Sequence, residues 1–360
     1  MSDERFMAAA LALGRRQLGL TAPNPSVGAL VVRGACVVGA GATAPGGRPH
    51  AETQALAEAG EAARGATVYV TLEPCSHHGQ TGPCAEALIA AGVARVVCAL
   101  ADPDPRVAGQ GFARMRAAGI EVLVGPGAAA AARDHLGHVL RVTQGRPCVT
   151  LKIARTADGF AAGDAHDARL AITGEIANRR TQTFRGRHEA IMVGIGTALG
   201  DDPLLTVRQN GLDQKPLRVV LDRRLRLPLD SRLAATAAVT PTLALAGADA
   251  PAGAEAALRA RGVEVERIGE GLGAALRALG RRGIARVFSE GGPSVGAALI
   301  AAGLADEVLL FTAEKPLGRA GRRALGPDAL AALADPARYH EAEAMIYGPD
   351  TLRRWERRLG

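Results

Sequence analysis

His50-Ala51-Glu52, then Cys75 after Pro74, then Cys84 nine positions further on, are residues whose types and spacing can do chemistry. One imidazole and two thiolates suit zinc, and three protein ligands leave the fourth corner of a tetrahedral ion open for water, as a catalytic site requires. Glu52 lies two residues from His50, too close to be an easy fourth ligand. A carboxylate there can take a proton from metal-activated water and pass it to a leaving amine. His-x-Glu followed by Pro-Cys is the pattern of zinc deaminases, although the second cysteine there follows after two residues and here eight intervene. The competing readings are a structural zinc, with His77 or His78 as fourth ligand, and a pair of buried free cysteines; both leave Glu52 without a role. Cys36, Cys98 and Cys148 fall in strand-like runs and read as core residues.

These side chains need elements to present them. Apolar spacing predicts a helix over 4–18, a hairpin of strands 27–32 and 37–40 around Arg33-Gly34-Ala35, and a helix over 51–59 that His50 opens after Pro49. A buried strand over 67–72 leads to Cys75, and Cys84 opens a helix over 84–91 after a Gly-Pro pair. Helix N-termini favour negative charge, so thiolates placed there gain stability. Strands over 95–100 and 121–124 alternate with helices over 112–118 and 128–141. A hairpin followed by repeated helix–strand units predicts a three-layer α/β/α domain.

Gln144-Gly145-Arg146-Pro147 is a turn-rich joint, and it sets the expected boundary between domains 1–145 and 146–360. Beyond it a second alternating set begins. Strands are expected over 148–154, 190–193, 218–221, 242–246, 263–265, 287–289 and 308–312, and helices over 175–184, 253–261, 272–281 and 294–302. Three features there suit a phosphate-bearing cofactor. Val193-Gly194-Ile195-Gly196-Thr197 reads as a strand running into a glycine loop before Asp201. Ser289-Glu290-Gly291-Gly292-Pro293-Ser294 reads as a strand, two glycines and a helix start, where bare backbone amides can approach a pyrophosphate. Asp222-Arg223-Arg224 follows a strand, and arginines so placed can hold a ribose 2′-phosphate. Each alone is also an ordinary turn.

The 360 residues are 48% hydrophobic and 22% charged, enough for two globular cores. Five cysteines are too few for a disulfide scaffold and point to a reducing, cytoplasmic setting. The N-terminal apolar run lacks a positive segment before it and is too short for a membrane span, so neither a signal peptide nor a membrane anchor is expected. A net charge of +7 allows nucleic acid or an anionic small molecule as partner. The arginines are scattered and aromatics are only 3%, which leaves base-stacking poorly supplied and favours the small molecule.

Pro23-Asn24-Pro25-Ser26-Val27-Gly28, His50-Ala51-Glu52, the run TLEPCSHHGQTGPC at 71–84, Asp102-Pro103-Asp104-Pro105 and Val107-Ala108-Gly109-Gln110-Gly111 together closely resemble the bifunctional riboflavin-biosynthesis deaminase–reductases, and the resemblance extends over nearly the whole chain. It implies a cytidine-deaminase-like domain followed by a dihydrofolate-reductase-like domain, with Zn2+ and NADPH as cofactors and a homo-oligomeric assembly. It also implies hydrolytic removal of the 2-amino group from a phosphoribosylamino-pyrimidine, and then reduction of the ribosyl group to ribityl. On this resemblance Asn24 and His77 contact the pyrimidine, where the residues alone equally allow a turn residue and a solvated loop residue. The resemblance also implies that Ala154, Thr197, Asp201 and the run Gly291, Gly292, Pro293, Ser294, Val295, Gly296, Ala297 and Ala298 line the cofactor. Lys152, Arg185, Leu205, Arg208 and Glu290 face the substrate. Where the family often shows Ser-x-Trp-Ile-Thr, this chain has Arg169-Leu170-Ala171-Ile172-Thr173. The serine position, substrate-facing, is Arg169, and the tryptophan position, cofactor-facing, is Ala171.

Overall fold

The structure is a computed structural model, and it describes residues 2–78, 82–163, 170–208 and 214–359. The chain divides into two compact units, 1–147 together with 280–285, and 148–279 together with 286–360.

In the first unit, helix α1 (Asp3–Arg15) precedes the hairpin β1 (Gly28–Arg33) and β2 (Cys36–Ala42). There follow α2 (Ala51–Ala59), β3 (Thr67–Val70), α3 (Cys84–Ala90), β4 (Arg95–Cys98), α4 (Gln110–Ala117), β5 (Glu121–Val124), α5 (Ala128–Asp134) and α6 (Leu136–Gln144). The strands form one sheet in the order β2-β1-β3-β4-β5, antiparallel at β2-β1-β3 and parallel beyond. Strand periodicity sorts its side chains into two cores. Ala29, Val31, Val68, Val70 and Val96 point to one face and pack with Ala51 and Ala55 of α2, Leu88 of α3 and Met115 of α4. Leu30, Val32, Tyr69 and Val97 point to the other and pack with Phe6, Met7 and Leu11 of α1 and Ala131 of α5. This is the expected α/β/α sandwich. Two expectations change. The helix anticipated over 128–141 breaks at His135 (φ −92°, ψ 3°), whose Nε2 meets Thr71 Oγ1 at 3.1 Å. Cys36 is exposed rather than core, because it opens the edge strand β2 beyond the reach of the covering helices, whereas Cys98 and Cys148 are buried.

The second unit runs β6 (Cys148–Arg155), β7 (Phe160–Ala162), α7 (Glu175–Arg185), β8 (Ala190–Gly194), α8 (Ile195–Asp201), β9 (Leu217–Leu221), α9 (Arg232–Ala235), β10 (Thr242–Ala246), α10 (Ala252–Ala260), β11 (Glu264–Arg267) and α11 (Gly271–Arg281). It closes with β12 (Arg286–Ser289), α12 (Pro293–Ala301), β13 (Glu307–Thr312), β14 (Arg322–Arg323), α13 (Pro327–Ala334), β15 (Tyr339–Tyr347) and β16 (Asp350–Arg357). Nine strands make one sheet in the order β11-β10-β9-β8-β12-β6-β13-β16-β15, parallel as far as β13, after which the antiparallel β16-β15 hairpin closes one edge. Every residue of β8 and β10 is buried, as central parallel strands covered on both faces require. The carboxyl ends of β6, β8, β9 and β12 lie side by side there, the place where open parallel sheets bind ligands. The anticipated glycine loop at 194–197 is instead an abrupt strand-to-helix junction: Gly194 caps α8 and Gly196 lies inside it.

Candidate functional site

Three elements converge on the metal-ligand candidates. His50 caps α2 and Glu52 sits in its first turn, Cys75 follows β3, and Cys84 starts α3. The approach of α2 to β2 needs glycine: a Cβ on Gly39 would stand 2.1 Å from the Ala55 carbonyl oxygen, and one on Gly41 2.2 Å from that of Ala51. His50 Nδ1 lies 3.3 Å from Cys84 Sγ and 3.7 Å from Cys75 Sγ, and the three donor atoms all lie within 4.8 Å of one another. Two sulfurs and one ring nitrogen on so small a triangle fit a zinc ion. Among the described residues no fourth His, Cys, Asp or Glu joins this group, so neither His77 nor His78 closes it.

The electrostatics match that donor set. The Cys84 amide, at the start of α3, donates to Cys75 Sγ at 3.3 Å. Hydrogen bonding from the Cys84 thiol, reinforced by His50, brings the Cys75 pKa down to about 4 against the cost of burial. The same contact, together with burial, pushes the Cys84 thiol up. Metal ligation requires thiolates, so a divalent cation here would displace whatever thiol protons remain. Glu52 is 4% exposed, and burial, then the negative charge on Cys75, raises its pKa to about 7. A carboxyl poised near neutrality can both accept and return a proton.

Asn24 stands beside this triangle. Asn24 Nδ2 donates to the Gly47 carbonyl at 2.8 Å and lies 3.3 Å from His50 Nε2, so the amide backs the ring whose other nitrogen faces the sulfurs. Gly47, at φ 87°, leaves room for it, because a Cβ there would be 2.9 Å from Asn24 Nδ2. His77 Nδ1 is buried with no hydrogen-bond partner among the described residues. Two residues escaped the sequence reading. The buried carboxylate of Glu73 accepts the backbone amides of Asp102 (3.3 Å), Gly109 (3.0 Å) and Gly111 (3.1 Å), tying the Asp102–Gly111 loop to the strand that delivers Cys75. His138 Nε2 pairs with Asp102 Oδ1 at 2.9 Å in the same buried region.

The second unit holds a cavity of about 1320 Å³ at the strand ends. Of the candidates, Lys152, Ala154, Ala171, Arg185, Thr197, Asp201, Leu205, Arg208, Glu290, Gly291, Gly292, Pro293, Ser294 and Val295 line it. Gly296, Ala297 and Ala298 are not among its lining residues, since α12 turns them away; Gly296 is buried against Leu151 and Ile153. Arg223 does not line it either. It is exposed and its Nη2 pairs with Glu270 at 2.6 Å, although Leu221, two residues earlier, does line the cavity. Arg169 lies outside the described residues.

Within the cavity Arg185 grips Glu290 bidentately, at 2.5 and 3.0 Å, and donates to the Thr206 carbonyl at 3.0 Å. Burial opposes ionisation of Glu290, but Arg185, then Lys152 and Arg208, outweigh it and hold its carboxyl below its ordinary value. Arg208 donates to Thr206 Oγ1 at 3.1 Å, and burial, then repulsion from Arg185 and Arg232, lowers its pKa, a penalty that an incoming anion would relieve. Two residues beyond Glu290, the Gly292 amide donates to Thr197 Oγ1 at 3.0 Å. A Cβ on Gly291 would stand 2.6 Å from Val295 Cγ1, and one on Gly194 2.8 Å from Val295 Cγ2, so both glycines are needed for α12 to begin where it does.

Residues 147–353 match the family model of the RibD C-terminal domain, and residues 1–100 match that of the cytidine and deoxycytidylate deaminase zinc-binding region. The riboflavin biosynthesis protein RibD of Escherichia coli K12 is 38% identical over 97% of this chain and 98% of its own length. This chain belongs to the RibD family. Among solved structures, RibD of Acinetobacter baumannii superposes with a TM-score of 0.88 at 35% identity, covering 99% of both chains. The Thermotoga maritima diaminohydroxyphosphoribosylaminopyrimidine deaminase/5-amino-6-(5-phosphoribosylamino)uracil reductase gives a TM-score of 0.86 at 31% identity, again over 99% of both. As a RibD-family member the chain is a bifunctional riboflavin-biosynthesis enzyme, a zinc-dependent deaminase joined to an NADPH-dependent reductase. Among the described residues no helix is long and apolar enough to cross a membrane.

Proposed function

We propose that His50, Cys75 and Cys84 hold the zinc of this enzyme, and that Glu52 is the proton carrier for deamination of 2,5-diamino-6-(5-phosphoribosylamino)pyrimidin-4-one. Zinc supplies a Lewis acid for water, and NADPH supplies the hydride for the second reaction. Glu52, ionised, takes a proton as water adds to the amine-bearing ring carbon, and returns it to the nitrogen as the carbon–nitrogen bond breaks, so that ammonia leaves and a ring carbonyl remains. Asn24 and His77 orient the pyrimidine, a reading supported by the Asn24 contact with His50. Residues 1–145 carry this activity and residues 146–360 the reduction. In the second unit the cofactor runs along Thr197, Asp201 and Gly291–Val295. Arg208 receives the substrate phosphate, with Arg185 held rigid by Glu290, and Lys152 and Glu290 flank the sugar carbon that gains the hydride. The substrate is a phosphorylated small molecule in the cytoplasm, nucleic acid is not a partner, and the enzyme works as a homo-oligomer.

The observation that carries this reading is Glu52, buried beside a three-donor cluster that has no fourth protein ligand among the described residues. In the test, Glu52→Gln abolishes ammonia release, keeps zinc content unchanged, and leaves NADPH oxidation intact when the deaminated intermediate is supplied. Ammonia release by the variant at the wild-type rate would overturn it.

A further inference from the structure

The cavity of the second unit has a cation on its rim that neither the motifs nor the family comparison assigns. β14 pairs antiparallel with β7, with Arg322 opposite Ala162 and Arg323 opposite Phe160. This short ribbon is pinned from several sides. The Asp158 carboxylate accepts the Leu317 amide at 2.9 Å and the Gly318 amide at 3.0 Å, and the Arg323 guanidinium lies 5.2 Å from the Phe160 ring centroid. A Cβ on Gly321 would stand 2.5 Å from the Ala162 carbonyl oxygen, so the two strands touch as closely as backbone allows. The result is a fixed mount that carries Arg322 over the first turn of α12, where its Nη2 donates to Ser294 Oγ at 3.0 Å. Both residues line the cavity.

We propose that Arg322 binds the cofactor's pyrophosphate, closing from above a cradle whose floor is Gly291, Gly292 and the α12 N-terminus. This rests on reading the cavity as the dinucleotide site. The chemistry is complementary. The first amides of α12 have no intrahelical partner, the helix end favours an anion, and a guanidinium presents paired donors that match phosphoryl oxygens. Arg322 is exposed, so bringing it to a diphosphate requires little desolvation. Among the described residues the other cavity arginines serve elsewhere, since Arg185 is locked onto Glu290 and Arg208 lies beside it at the substrate end. Arg322 is therefore a recognition residue for the part of the cofactor that NADPH and NADH share, and not for the 2′-phosphate.

The test compares Arg322→Gln and Arg322→Lys with the wild type in the full-length, zinc-loaded enzyme, measuring KM for NADPH, NADH and the deaminated phosphate substrate, and ammonia release. Loss of one charge-assisted contact on a partly solvated rim should raise KM for NADPH about tenfold in Arg322→Gln, and KM for NADH by the same factor. Arg322→Lys should fall between, because an ammonium keeps the charge but loses the fork. KM for the phosphate substrate, and ammonia release as the check on folding, should stay at wild-type values. An unchanged KM for NADPH would refute the assignment. So would a rise confined to NADPH, which would place Arg322 at the 2′-phosphate, or a rise confined to the pyrimidine substrate. A wild type that itself fails to oxidise NADPH would instead overturn the dinucleotide reading.

Discussion

Replacing Gly41 with alanine perturbs the deaminase site without touching any of its candidate ligands. A Cβ at this position would lie 2.2 Å from the Ala51 carbonyl oxygen, whereas real Cβ contacts essentially never fall below 3.0 Å. The obstacle is helix backbone, which cannot rotate aside as a side chain can, so α2 has to retreat from β2 by about 0.8 Å, the difference between those two distances. His50 and Glu52 ride on the start of α2, while Cys75 and Cys84 are carried by the end of β3 and by α3. The displacement therefore changes the 3.3 Å spacing between His50 Nδ1 and Cys84 Sγ and moves Glu52 relative to the three donor atoms. Overpacking of this kind costs about 1–3 kcal/mol of stability. A misplacement near 1 Å at a reacting centre costs about 100-fold in rate. Gly41→Ala should thus lower ammonia release by about 100-fold and weaken zinc retention, with NADPH oxidation of the supplied intermediate unchanged. Elemental analysis, ammonia release and NADPH absorbance on the same preparation give all three readouts. A variant that folds, keeps its zinc and deaminates at the wild-type rate would refute the claim that the α2–β2 contact sets the geometry of the site.

Other consequences are equally open to measurement. Arg185→Met strips the buried Glu290 carboxylate of its bidentate partner, which should destabilise the second unit by about 3–5 kcal/mol and abolish NADPH oxidation while ammonia release persists; calorimetry with the two assays checks it. Chelation of zinc should stop ammonia release but not NADPH oxidation of the deaminated intermediate, and added zinc should restore it. In the zinc-loaded enzyme a bulky thiol reagent should label Cys36 rapidly and Cys98 and Cys148 only on unfolding, as peptide mass mapping would show. Arg95, overcoming partial burial, holds the Asp3 carboxyl below its ordinary pKa of 3.8, so the stability it adds is present above that pH and is lost as the pH falls through the depressed value. The thermal midpoints of the wild type and Asp3→Asn should therefore differ at neutral pH and converge in acid.

The clustering of His50, Cys75 and Cys84 was legible because each stands at the start of an element or just beyond one: a proline before His50, a Gly-Pro before Cys84 and a buried strand before Cys75. The sandwich was legible from the alternation of β1, β3 and β4, whose two faces become two separate cores. Where side-chain chemistry is spoken to backbone, the sequence is silent. Glu73 is a lone acid in a metal motif until the amides of Asp102, Gly109 and Gly111 are seen to converge on it. The β15–β16 hairpin escaped notice because an edge hairpin with charged residues such as Glu341, Glu343, Arg353 and Arg354 lacks the apolar run that betrays a central strand. The β7–β14 ribbon is too short for any periodicity, and Arg322 gains meaning only from the helix start it overhangs. Arg223 is the opposite case: a placement after a strand that suits a ribose phosphate, with an exposed guanidinium that pairs with Glu270.

The account's central claim is best tested by zinc stoichiometry and ammonia release measured together on the wild type and Cys84→Ser. One zinc per wild-type chain, lost along with ammonia release in Cys84→Ser while NADPH oxidation of the supplied intermediate survives, is the predicted result. Full ammonia release from a preparation shown to be metal-free would contradict it.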